Sequence, residues 1–146
     1  MKFYVVIDTN VVISALFKPD SLPGKIINYA LTGKIIPLLH EKIWTEYKDV
    51  INRPKFKFSQ EQIERVLRGI KDNGKFIDAK NFEEELPDPK DKIFYCVLMT
   101  AREDVDAYLV TGNLKHFPKK IFIVTPRELL DILEQEELND NSRNAT

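Results

Sequence analysis

Four acidic residues stand where strands end or helices begin, the places from which a carboxylate can reach a ligand: Asp8, Glu46, Asp88 and Asp91. Asp8 closes an apolar run, Phe3 to Ile7, and is followed by Thr9 and Asn10. Asp88 and Asp91 flank Pro89 three residues apart, side by side on the first turn of a helix. Glu46 belongs to a helix whose apolar face is Ile43, Trp44, Tyr47, Val50 and Ile51, and it lies roughly 100° from the centre of that face. Each acid has a plain structural explanation. Asp8 is in place to cap a helix from Thr9 to Phe17, Asp88 and Asp91 suit a helix N-terminus and its dipole, and Glu46 suits a solvated flank. Their conjunction is a different matter. Two carboxylates ~4 Å apart at an effective dielectric near 20 repel by about 4 kcal/mol, so a cluster of Asp8, Glu46 and Asp91 must bind protons or a cation. An all-oxygen donor set favours Mg²⁺ or Mn²⁺ over zinc. His40 and His116 show no zinc-ligand spacing, and the lone Cys96 cannot build a thiolate site.

The elements that would bring these acids together are legible in the pattern. Near-continuous apolar runs mark buried strands at Phe3 to Ile7, Ile35 to Leu39, Tyr108 to Val110 and Ile121 to Val124, with a weaker fifth at Phe76 to Ile77. Helices between them carry start and stop signals: Ser21 with Pro23 and a closing Gly33, Ser59 with Gln62 and a closing Gly74, Asp88-Pro89, and Thr125-Pro126 with Glu128, the last ending near Glu137. Strands alternating with helices imply an α/β fold: one domain with a parallel central sheet of four to five strands and helices on both faces. Ligands of such sheets bind outside the carboxyl ends of the strands. Those ends carry Asp8-Thr9-Asn10, then His40 ahead of the helix of Glu46, then Thr111-Gly112-Asn113.

The bulk properties narrow the class. The chain has 146 residues and a formal net charge of -1, which gives no overall basic footprint for nucleic acid. Any nucleic-acid activity must come from a local site. One cysteine excludes an internal disulfide and fits a reducing compartment, with Cys96 read as a buried structural thiol. The opening residues read as a strand and not as a secretory leader, and no apolar run approaches the ~20 residues of a membrane helix, so no membrane association and a cytoplasmic location are expected. The domain is expected over residues 1–138, with a polar, disordered tail over 139–146.

Four segments together are similar to one family: VIDTNVVISAL (Val6 to Leu16), WTEYKDVINRPKF (Trp44 to Phe56), LPDPKDKIFYCVLMTA (Leu86 to Ala101) and YLVTGNLKHFP (Tyr108 to Pro118). In this order and at these intervals they resemble the PIN-domain nucleases, most closely the toxin component of bacterial and archaeal toxin–antitoxin pairs. The resemblance runs from Phe3 to about Leu133. It implies a metal-dependent ribonuclease in which acids hold one or two Mg²⁺ or Mn²⁺ ions and a metal-activated water hydrolyses an RNA phosphodiester. Carried over by position, the acids are Asp8, Glu46 and Asp91, with Asp88 in support. Thr9 and Asn10 shape the loop, and Thr111 orients the last position. That position departs from the common pattern of the family, which has aspartate where this chain has Asn113. Asparagine offers a carbonyl oxygen to a metal or its water but no charge, which makes one metal better supported than two.

The resemblance also implies partners: an RNA substrate, a cognate antitoxin and a second copy in a homodimer. Lys18, Arg53, Lys55, Lys57, Lys115 and Lys119 are placed to guide an RNA backbone, and His116 and Phe117 follow the strand that carries Thr111. Ile26, Ile27 and Tyr29 have the spacing of a core stripe or of a contact surface. Two rivals remain. A PIN fold that binds RNA or a partner without cutting it is favoured by Asn113. A haloacid-dehalogenase-type phosphatase also places aspartate after its first strand, but needs a second acid where this chain has Asn10.

Overall fold

The computed structural model describes residues 2–144. The strands are β1 (Phe3–Ile7), β2 (Ile35–Leu39), β3 (Lys75–Phe76), β4 (Tyr108–Val110) and β5 (Ile123–Val124). The helices are α1 (Thr9–Phe17), α2 (Leu22–Leu31), α3 (Glu41–Ile51), α4 (Gln60–Asn73), α5 (Lys92–Ala101) and α6 (Pro126–Asn144). Short 3-10 turns cover Pro54–Phe56, Pro89–Asp91 and Leu114–His116. β1, β2, β4 and the helix starts fall where the sequence pattern puts them. Ser21 accepts from the Gly24 amide, Ser59 and Gln62 form a full capping box, and Gly33 takes a left-handed φ of 86° just past α2.

Three boundaries differ from expectation. β5 starts at Ile123 and not at Ile121, whose side chain is 92% exposed, because the chain only then comes level with β4. β3 is displaced by one residue, although the Ile77 amide still donates to the Leu39 carbonyl at 2.7 Å. The third is the end of α6, which runs past Glu137 and into the polar tail as far as Asn144, with no proline or glycine to stop it. Residues 145–146 of that tail lie outside the described residues.

All strand pairs are parallel, in the order β3-β2-β1-β4-β5. The chain first builds outward from β1 through β2 to β3, then returns to the other side of β1 with β4. That reversal opens a crevice between the carboxyl ends of β1 and β4. Val5, Val6 and Ile7 are all fully buried, so both faces of β1 are covered, as a near-continuous apolar run requires. α5 lies along β1, β4 and β2, while α2 packs on β2 and meets α4 and α6. Ile26 and Ile27 are buried, so the α2 stripe serves the core. Cys96 is a buried free thiol, as expected.

One side chain locks the crevice to the helical layer. Tyr47 of α3 is fully buried and its hydroxyl donates to the Ile7 carbonyl at 2.5 Å, one residue before Asp8. Tyr47→Phe removes that hydroxyl and is expected to cost about 1–3 kcal/mol, because a buried carbonyl loses a partner that water cannot replace. Urea unfolding checks it: the midpoint falls while the m-value stays unchanged.

Candidate metal centre

The Asp8 amide donates to the Val110 carbonyl at 3.0 Å, which extends the β1–β4 ladder and fixes Asp8 at the switch point. Its carboxylate is only 7% exposed, and Oδ2 accepts from Thr111 Oγ1 at 2.7 Å. Thr111 is itself fully buried at the end of β4. Although Asp8 precedes α1, its side chain makes no capping hydrogen bond there. The Thr9 and Asn10 amides still favour its charged form, as does the Thr111 hydroxyl, yet burial outweighs them and raises its pKa above the ordinary carboxylate value.

The other acids reach the crevice from two helices. Glu46 of α3 accepts a short hydrogen bond from Thr9 Oγ1, which ties α3 to the first turn of α1. Asp91 ends the turn that leads into α5. Its Oδ2 is buried and has no hydrogen-bond partner among the described residues. His116 Nδ1 stands 3.4 Å from that oxygen, an ion-pair distance without hydrogen-bond geometry. Burial, then the charges of Asp8, Asp88 and Glu46, push the Asp91 carboxyl up to about 6 against the opposing pull of His116. Asp88 caps the turn, with Oδ1 accepting from the Lys90 amide at 3.0 Å, so its plain structural explanation holds while it adds charge.

Asp8, Thr9, Asn10, Glu46, Asp88 and Asp91 line one cleft of about 490 Å³. Thr111 lies beneath it and not on its wall. Asn113 is not on the wall either: its amide donates to Thr111 Oγ1 at 2.9 Å, and its Nδ2 lies 3.0 Å from His116 Nε2. Lys42, Asp49, Lys90 and Arg53 join the lining. Sequence reasoning passed over Lys42, Asp49 and Lys90, although Lys42, Glu46, Asp49 and Arg53 recur at helical spacing on α3 and the segment after it, a polar stripe beside the apolar one. Tyr47 was assigned to packing alone. Burial, with the charges of Asp8 and Glu46, raises its hydroxyl well above the ordinary value, so it remains a donor at neutral pH.

Among the described residues no group of three or more His, Cys, Asp or Glu side chains is placed to hold a metal ion. The donor chemistry nonetheless fits a hard divalent ion. Carboxylate oxygens line one cleft, one of them is buried without a hydrogen bond, and burial together with the neighbouring carboxylates has raised Asp91. Such a site gains from a dication what it otherwise takes from a proton.

These features define a parallel α/β domain with an acidic crevice at the point where its strand order reverses. The chain belongs to the PIN domain family, whose sequence model matches residues 4–115, from β1 to the turn after β4. Nucleic-acid cleavage is the general property of that family. No curated protein and no solved structure matches the chain. No helix among the described residues is long and apolar enough to cross a membrane.

The raised Asp91 carboxyl gives a signed prediction. A carboxyl raised in the folded state favours folding at low pH, and that contribution is lost as pH rises from the unfolded value of 3.8 through about 6. Carbon-detected NMR of metal-free protein should therefore show Asp91 titrating near 6. Asp8→Asn should move that midpoint downward, since it deletes a repelling charge. An unmoved midpoint would mean that the two carboxylates do not share a field.

Proposed function

We propose that the protein is a Mg²⁺- or Mn²⁺-dependent endoribonuclease, held by its acidic crevice and acting as the toxin of a toxin–antitoxin pair. The observation that carries the enzymatic reading is the buried Oδ2 of Asp91, which accepts no hydrogen bond, in the same cleft as Asp8, Glu46 and Asp88. Asp8, Glu46 and Asp91 would hold the ion, with Asp88 adding negative charge. When bound, the ion supplies positive charge at the attacked phosphate and makes water more acidic. The chain's own groups do the rest. Thr111 orients the Asp8 carboxylate through its hydroxyl, Thr9 restrains Glu46, and Lys42, Lys90 and Arg53 offer cations to the phosphates of an RNA strand at the cleft wall. Asn10, in the first turn of α1 and not in a loop as expected, lines the crevice beside Asp8. Asn113, as a neutral residue outside the wall, supports one ion better than two.

Membership in the PIN family sets aside the phosphatase rival, and Asn10 lacks the carboxyl that chemistry requires. One observation favours a second reading: Asn113 turns its amide towards His116 and lends the cleft no charge. A PIN fold that binds RNA or a partner without cutting it is the function that follows if no divalent ion binds. The toxin role, the antitoxin and the homodimer rest on the four-segment resemblance.

With purified protein, Mn²⁺ and a labelled RNA, Asp8→Asn should lower cleavage at least about 100-fold, and Thr111→Val about 10- to 100-fold, as expected when an orienting partner is lost. Undiminished cleavage by Asp8→Asn would contradict the assignment. In cells, induced expression of the wild-type chain should arrest growth where Asp8→Asn does not.

A further inference from the structure

A second surface adjoins the cleft and shares Arg53 with it. α1 starts in the cleft with Thr9 and Asn10 and ends, about 12 Å further along its axis, at Phe17. Phe17 is 56% exposed, unusual for a ring of that size. It packs edge-on against two more rings, at 5.5 Å from Phe56 and 4.8 Å from Phe58. Phe56 and Phe58 stack on each other at 5.5 Å with planes 12° apart. Between them Lys57 adopts φ 56°, a left-handed conformation that costs a non-glycine residue stability and is held here on an exposed turn. The segment Arg53-Pro54-Lys55-Phe56-Lys57-Phe58 leaves α3 beside Glu46 and alternates cations with aromatics.

Cations cluster around these rings. Lys18 follows Phe17 directly, and Arg53, Lys55 and Lys57 flank the other two rings, all four exposed. The ion pairs among the described residues occupy other cations. Lys55 Nζ lies 5.1 Å from the centroid of the Phe56 ring, which leaves its charge on the aromatic surface. Arg53 belongs both to this patch and to the cleft wall, so the two surfaces are continuous. Phe56 and Phe58 are half-buried against the core and back the exposed Phe17 ring, and an exposed ring set among cations offers an unpaired nucleic-acid strand a stacking surface for a splayed base and positive charge for its phosphates. A double helix cannot use the rings, because its bases are already stacked.

We propose that Phe17, Phe56 and Phe58, with Lys18, Arg53, Lys55 and Lys57, form a stacking platform that binds single-stranded RNA and leads its backbone into the acidic cleft. The choice of RNA rests on the ribonuclease reading; the platform itself rests on its rings and charges. It sets which stretch of the strand is held.

Binding is measured by fluorescence anisotropy on the full chain in EDTA, with a short unstructured RNA and the same RNA annealed to its complement. Phe17→Leu keeps an apolar side chain but removes the ring, and should weaken single-strand binding about fivefold or more while leaving the duplex unchanged. Lys55→Gln with Lys57→Gln, at two exposed positions, should lower the slope of log affinity against log salt by about 1.4 on the single strand. Equal losses on single strand and duplex, or no loss in either variant, would overturn the platform. So would unchanged RNA affinity in Phe17→Leu with a smaller sedimentation mass, which would make the patch an interface between copies. Chelation separates this test from the nuclease reading. Wild-type protein that cuts RNA in Mn²⁺ without ring-dependent binding loses the platform alone; ring-dependent binding without cutting keeps the platform and loses the nuclease.

Discussion

A carboxylate held almost out of water at the end of the first strand is the constraint around which the rest is arranged. Asp8 cannot escape to solvent, because its amide is part of the β1–β4 ladder and its side chain is bonded to a fully buried threonine. Burial raises its pKa, and its charge in turn helps to raise that of Asp91. The neighbours answer only part of that demand. Thr111 and the start of α1 offer dipoles to Asp8 and His116 stands 3.4 Å from Asp91, yet Asp91 still stands near 6. Parallel strand order, the Tyr47 lock on the Ile7 carbonyl and the Thr9–Glu46 bond all position groups whose mutual repulsion calls for a dication.

Much of this was legible in the sequence, for reasons that differ between elements. β1, β2 and β4 are doubly covered, so their side chains are apolar almost without interruption and their ends are sharp. Asp8 could be placed because it is the first polar residue after such a run. α2 and α4 announced themselves through caps that work locally, Ser21 and the Ser59–Gln62 box, where no tertiary knowledge is needed. The short outer strands were less legible. β3 and β5 have two residues each and owe their limits to their neighbours in the sheet, which periodicity does not record. The end of α6 was hidden for a related reason: a polar helix has no apolar stripe to reveal it.

Within the crevice, chemistry was legible residue by residue but not partner by partner. The acids drew attention by type and spacing. That Asp91 keeps one oxygen buried and without a hydrogen bond, or that Thr9 serves Glu46, depends on side-chain directions set by three separate helices. Asn113 shows the same limit. Its amide side chain meets His116, whose other ring nitrogen faces Asp91, so this position touches the acids through an intermediary. An aspartate there would add a further negative charge to a cluster that already strains to hold its own.

The most direct measurement is calorimetric titration of metal-free protein with Mn²⁺ at pH 6, run in two buffers of different ionisation enthalpy. If the cation takes over from the proton on Asp91, binding at that pH releases about half a proton or more per ion, and the release fades as pH rises above 7. Binding without proton release at pH 6, or no binding at millimolar Mn²⁺, would contradict a crevice built on charge that only a dication can balance.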